Sequence, residues 1–224
     1  MEVLPRHPRE SNREYALRVL KENIVSTALA PGSMVSENEL AAQLALSRTP
    51  VREALLELSK AKIVEILPQR GSRVTLIDYA LVEEARFLRE VLERAVAELV
   101  CQTADAVQLE ALSQNVRLQE YHLENHQLDP LMKLDDDFHG ALFKIAGKWQ
   151  LHELINGFTI HFDRVRSLSL YAVKELKIVA DHRAILNAIA ARDAGEAQRL
   201  MTKHLNRYRV DEQELRGKYP RYFG

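Results

Sequence analysis

Apolar residues in this chain of 224 keep helical spacing nearly everywhere, and the one short stretch that breaks the spacing decides what the first third can fold into. Ile63-Val64-Glu65-Ile66-Leu67 and Ser72-Arg73-Val74-Thr75-Leu76 alternate instead, on either side of Pro68-Gln69-Arg70-Gly71, and predict a β-hairpin. Three helices are predicted ahead of it. Ser11-Asn12-Arg13-Glu14 has the spacing of a capping box, and Ala16, Leu17, Leu20, Ile24 and Val25 follow on one face, up to a stop at Ala30-Pro31-Gly32. Ser36-Glu37-Asn38-Glu39 repeats the capping pattern ahead of Leu40, Ala41 and Leu44. After a tight turn at Ala45-Leu46, Ser47 is placed to cap a third helix. Pro50 falls in its first turn, where a missing N–H costs nothing, and Val51, Ala54, Leu55 and Leu58 form its buried stripe. Three helices and a hairpin describe a winged helix-turn-helix over residues 11–77. Residues 1–10, with two prolines and no apolar period, are expected as a loose arm.

From Asp78 onward there is no strand signal. Helices are predicted near 79–101, 105–126, 130–146, 149–171, 175–191 and 194–213, with Asp78, Thr103 and Asp129 as N-caps and breaks at Gly147 and Gly195. The fold class is therefore mainly α: a winged head followed by an antiparallel bundle of six or seven helices over 78–224. Apolar residues make up 46% of the chain, enough to fill both cores. The net charge of −1 provides no global field for nucleic acid, yet residues 47–73 carry six basic side chains against three acidic ones. Cys101 has no second cysteine to pair with, the N-terminus has no apolar signal core, and no run approaches 18 apolar residues. A cytoplasmic protein without a membrane segment is expected.

Arg48 and Arg52 lie four apart and share the face of the third helix opposite its apolar stripe. In a helix-turn-helix that helix enters the major groove, and arginine is suited to a bidentate bond with guanine. Ser47 and Thr49 sit at the positive helix end, which suits phosphate. The hairpin tip adds Arg70 and Arg73 around Gly71. A solvated arginine face on an ordinary helical domain explains either arginine alone; the helix, turn, helix and basic wing together argue against it. The run Pro31-Gly32 … Ser36-Glu37-Asn38-Glu39-Leu40-Ala41 … Leu46-Ser47-Arg48-Thr49-Pro50-Val51-Arg52-Glu53-Ala54-Leu55 … Gln69-Arg70-Gly71-Ser72 resembles the DNA-binding domain of the GntR family of bacterial transcription regulators over residues 13–76. The resemblance implies that Ser47, Arg48, Thr49, Arg52 and Gly71 touch operator DNA. Arg70 is added from its place on the wing. At Asn38 the family often has a basic residue, and this chain departs from it.

A second constellation lies in the helical half. Asp135 and His139 are one turn apart on a face shared with Leu131, Met132 and Leu142. A lone carboxylate buried there is expensive, and a bound cation removes the objection. His182 and His204 sit on apolar stripes, each eleven residues from the break near Asp193, so two antiparallel helices bring both rings to one height, about 16 Å from the turn. One carboxylate and three imidazoles suit zinc, nickel, cobalt or manganese with positions left open. Each histidine taken singly is better explained by a hydrogen-bonded core residue, and the four together at this spacing reverse that. Residues 78–204 resemble the FCD ligand-binding domain of the FadR-like subfamily, on Arg89-Glu90-Val91-Leu92-Glu93, Asp135-x-x-Phe138-His139 and Asp181-His182-Arg183-Ala184-Ile185 … Arg192-Asp193 … His204. The resemblance implies a divalent metal on Asp135, His139, His182 and His204 and a small organic or sugar acid as effector. Gly147-Lys148 departs from the family's usual Gly-Asn.

Arg89 and Arg166 border apolar stripes and are expected to meet the effector carboxylate, an internal bridge such as Arg89–Glu93 being the alternative. A homodimer reading a pseudo-palindromic operator follows on symmetry grounds. The expected function is ligand-responsive transcription regulation and not catalysis. Two rivals stay open: a metal sensor, and a metal-dependent hydrolase or lyase with Asp136 as base.

Overall fold

The computed structural model describes residues 1–172 and 177–224, and among these it has eleven helices and three short strands. The head follows the predicted order: α1 (Asn12–Val25), β1 (Met34–Val35), α2 (Glu37–Gln43), α3 (Arg48–Lys60), β2 (Val64–Leu67) and β3 (Gly71–Val74). The capping box at Ser11 is fully formed, with Ser11 Oγ accepting from the Glu14 N–H and the Glu14 carboxylate accepting from the Ser11 N–H. At Ser36 and Ser47 the backbone turns into the helix without a side-chain bond. There the pattern marks the boundary and not the contact. Val19, Leu20, Val51, Leu55, Ile63 and Val74 close the core between α1, α3 and the wing.

The sheet has the order β1-β3-β2, all antiparallel. β1 is two residues long, too short to leave a period in the sequence. Its approach explains Gly71: φ is +93°, and a Cβ there would stand 2.9 Å from the Val35 carbonyl oxygen. Residues 1–10, expected as a loose arm, are tied along α1. Asn23 exchanges bonds with both backbone groups of Glu2, Tyr15 Oη donates to Leu4 O, and Arg18 holds Pro5 O and Glu10. Polar side chains of α1 make these bonds, and apolar periodicity does not report them.

By compactness the chain forms two units. The first joins Met1–Val82 with Ile160–Leu168 and Leu215–Gly224. The expected boundary at 77/78 thus omits two returning segments. Ile77 forms a bridge to Phe223, with its N–H donating to Tyr222 O and its carbonyl accepting from Gly224. Phe223 stacks on Tyr79 at 5.5 Å, and the Arg216 guanidinium lies over both rings. His161 Nε2 meets Ala61 O at 2.8 Å, and Arg164 Nη2 donates to Thr75 O at 2.6 Å.

The second unit, Glu83–Thr159 with Ser169–Glu214, draws on α4 (Tyr79–Thr103), α5 (Ala106–Glu124), α6 (Asp129–Ile145), α7 (Trp149–Ile155), α8 (Ile160–Ala172), α9 (Ile178–Ala190), α10 (Ala194–Leu205) and α11 (Tyr208–Lys218). Asp78 Oδ1 accepts from the Ala80 N–H as α4 starts. α5 is capped by Asp105, in a full box with Gln108, and not by Thr103, which ends α4. α6 begins at Asp129 with Leu128 in the cap position. Asp193 caps α10, and Gly195 is the second residue of that helix rather than the break. The predicted segment 149–171 divides at Asn156-Gly157-Phe158-Thr159, where the Phe158 and Thr159 N–H groups share the Ile155 carbonyl. The segment 194–213 divides at Asn206-Arg207, where Asn206 Nδ2 folds back onto Thr202 O and Arg207 is drawn to Asp181. Residues 175 and 176, predicted to open the fifth helix, lie outside the described residues. α5 packs against α6 and α9, and α9 against α10, which sets the inner faces of four helices around one region. Among the described residues no helix is long and apolar enough to cross a membrane.

Candidate metal centre and nucleic-acid interface

On α3 the apolar stripe turns inward, with Val51 and Ala54 fully buried, and leaves Ser47, Arg48, Thr49 and Arg52 exposed at its N-terminal end. Arg48 Nη2 rests 3.3 Å from Glu37 of α2, a contact at a surface where such pairs are weak and readily exchanged. Arg70 is exposed at the wing tip. The second wing cation expected from the sequence is engaged: Arg73 pairs with Glu65 directly across the ladder, at 2.6 Å. Ser72 is buried.

In the second unit Asp135 and His139 of α6, His182 of α9 and His204 of α10 are all buried, and one ligand atom from each lies within 4.8 Å of the others. His204 Nε2 stands 3.2 Å from His139 Nε2 and 3.3 Å from His182 Nε2. Asp135 places its two oxygens 3.8 Å and 3.5 Å from His139 Nε2 and His182 Nε2. Phe138 stacks on the His182 ring at 4.4 Å and closes one side.

The outward nitrogens have partners of one kind. His139 Nδ1 lies 2.5 Å from Glu93 Oε2, His182 Nδ1 lies 2.7 Å from Gln119 Oε1, and His204 Nδ1 lies 3.8 Å from Asp181 Oδ2. Burial alone would raise the Glu93 carboxyl, but the Arg89 charge and the adjoining His139 ring hold it below the usual carboxylate range. Burial acts likewise on Asp181, and His204 with Arg207 overcomes it in the same direction. Burial keeps His204 below the ordinary imidazole value against the pull of Asp181. The acceptor at His182 Nδ1 leaves that ring's Nε2 with its lone pair turned inward, whereas His139 Nδ1 and His204 Nδ1 lie buried beside carboxylates without a hydrogen bond among the described residues. Three Nε2 atoms and a carboxylate face one another out of water, an arrangement that a cation among them would stabilise. The donor set fits a divalent ion, which Asp135, His139, His182 and His204 could hold.

Arg89 is buried on α4 with its Nε 2.5 Å from Glu93 Oε1, so the internal bridge weighed as the alternative is present. Arg166 belongs to the first unit and donates to Asp163 at 3.2 Å. Of the outer residues, Glu93 was visible in the sequence as a bridge for Arg89 and as part of a motif. Asp181 stood out only as part of a motif, and Gln119 carried no signal.

Residues 13–74 match the family model described as bacterial regulatory proteins, gntR family, and residues 84–207 match the FCD domain. The HTH-type transcriptional repressor RspR of Escherichia coli (strain K12) is 33% identical over 94% of this chain and 92% of its own length. The chain belongs to the gntR family of bacterial regulatory proteins. This GntR-family regulator is also 33% identical, over 95% of its length and 90% of the relative's, to an HTH-type transcriptional regulator in an unstable DNA locus of Streptomyces ambofaciens. Its fold is shared with E. coli McbR/YncC, at a TM-score of 0.79 and 21% identity over 93% of this regulator and 99% of that chain.

Proposed function

We propose that this GntR-family regulator reads operator DNA as a homodimer through α3 and the wing, and that its FCD half holds a divalent ion to which a small organic or sugar acid binds through its carboxylate. Ser47, Arg48, Thr49, Arg52, Arg70 and Gly71 are the DNA-facing residues in this reading, and Asp135, His139, His182 and His204 the metal ligands. The observation that carries it is the burial of four donors around one point. Zinc, nickel, cobalt or manganese suits the donors, and an ion preferring more than four ligands keeps positions for water or a carboxylate. The ion would supply Lewis acidity toward that carboxylate. Arg89 is held by Glu93, so an effector that recruits it must compete with that bridge. Arg166, whose guanidinium is shared with Asp163, is the weaker assignment. Effector binding is linked to DNA affinity as a coupling free energy between two sites, and a ligand that binds both states alike would change nothing.

Two measurements test this reading. Protein purified without added metal should carry about one ion per chain by elemental analysis, and His139→Ala should lose it. Stoichiometric ion in His139→Ala, or none in the wild type, removes the metal site. Binding to duplexes selected from a random pool should weaken by about 1–3 kcal/mol in Arg48→Ala, with relaxed preference at one base pair. Titrating free metal into the same assay separates a metal sensor, whose DNA affinity follows the ion, from a regulator whose ion stays bound while carboxylates change that affinity.

A further inference from the structure

Gln119 is the one neutral group among the three that back the histidines, and it is held more tightly than its lack of charge suggests. It is 1% exposed, on the α5 face that packs against both α6 and α9. Its Nε2 donates to Asn115 Oδ1 at 2.6 Å and reaches Leu134 O at 3.4 Å. Asn115 is oriented in turn, because its own Nδ2 donates to Leu134 O at 3.0 Å. Both acceptors demand the NH2 end of the Gln119 amide, so its carbonyl end must face His182 Nδ1. His182 therefore donates from Nδ1 and turns a bare Nε2 toward His204 and Asp135. Leu134 is the residue before Asp135, so the relay ties the ring of one ligand to the backbone beside another.

We infer that Gln119, oriented by Asn115 and Leu134, is a positioning residue of the metal centre that fixes the tautomer of His182 and holds α9 and α6 in register for the ion. Glu93 and Asp181 stand beside His139 Nδ1 and His204 Nδ1 as charges, without a hydrogen bond to either ring nitrogen. The choice of an amide has a consequence for charge. A carboxylate at 119 would add a third outer anion beside Glu93 and Asp181. Each of those two carries its own arginine, Arg89 and Arg207, whereas the Gln119 carbonyl gives the same acceptor without requiring one. The inference rests on the metal reading proposed above.

The test uses the full chain with cobalt(II) and zinc(II) as probes, their affinities measured by competition against a chromophoric chelator. Gln119→Met keeps the length and removes the carbonyl. It should weaken both ions by about 10–100-fold and move the visible bands of bound cobalt, since His182 is free to swivel. Gln119→Glu restores an acceptor but loses the NH2 that Asn115 and Leu134 hold, so it should bind more weakly than the wild type and more tightly than Gln119→Met. Wild-type affinity in Gln119→Met overturns the inference. Should Gln119→Met fail to fold, wild-type affinity and unchanged cobalt bands in Gln119→Glu overturn the relay through Asn115 and Leu134, and a loss with shifted bands supports it. A wild type that takes up no more ion than His139→Ala overturns the metal reading itself, whereas uptake by the wild type with indifferent Gln119 variants sinks only the role of Gln119.

Discussion

Arg164 is a side chain that the fold buries at a disadvantage. It is fully buried in the first unit, Nη2 donates to Thr75 O, and no carboxylate faces it among the described residues. Burial lowers its pKa to about 10, a shift that corresponds to about 3 kcal/mol against the charged form. Because the folded value lies below the unfolded one, this cost is present in full below pH 10 and fades as the pH climbs above it. Arg164→Met keeps the methylene packing and discards the charge at the loss of one hydrogen bond. Its stability in chemical denaturation at pH 7 should equal or exceed the wild type by up to about 3 kcal/mol, and the gap should narrow above pH 10. A loss of more than about 2 kcal/mol at pH 7 would mean that the bond to Thr75 outweighs the buried charge. Sequence reading reached some side chains and not others for a physical reason. Asp135, His139, His182 and His204 were legible because polar groups on apolar helical faces contradict their surroundings. Gln119 was illegible, since an amide contradicts nothing until its partner 63 residues away is known. Arg73 looked free because its cross-strand partner Glu65 becomes a neighbour only once the register exists.

Among the elements, boundaries were legible where a local bond makes them and uncertain elsewhere. Ser11 and Asp78 meet their helices as expected. Asp105 was passed over in favour of Thr103, two residues earlier, because both side chains can cap and only the path of the chain chooses between them. The breaks at 156–159 and 206–207 left no proline as a sign. β1 was missed altogether, and with it half of the reason for Gly71. A residue singled out for contact with DNA is also required by the backbone of a neighbouring strand. Gly71→Ala should therefore destabilise the wing even without DNA. The left-handed backbone costs about 1–2 kcal/mol for any side chain, and the approach to Val35 O adds to it. Hydrogen exchange should accelerate at Val35 and Ser72, which are paired, well before it does in α1. Unchanged exchange at both amides would show that the two strands do not need the glycine.

For the molecule as a whole, the order of elements and the fold class could be read because helical and alternating periods are local properties. The division into units could not, since it depends on Ile160–Leu168 and Leu215–Gly224 joining a unit that otherwise ends at Val82. Leu215 and Phe223 are both buried there, and together they account for about 3–5 kcal/mol of apolar burial. A chain ending at Glu214 should lower the unfolding midpoint of the winged unit, followed by exchange at the Ile77 amide. A midpoint shared with the full chain would show that the returning segment adds no stability. The pairing of Ile77 with Tyr222 and Gly224 also sets a timetable for synthesis. The head is encoded first, yet the segment that finishes it is encoded well over a hundred residues further along the chain. A nascent chain stalled after residue 82 should hold a head still open along that edge, and the regulator can seal it only once Tyr222, Phe223 and Gly224 have emerged.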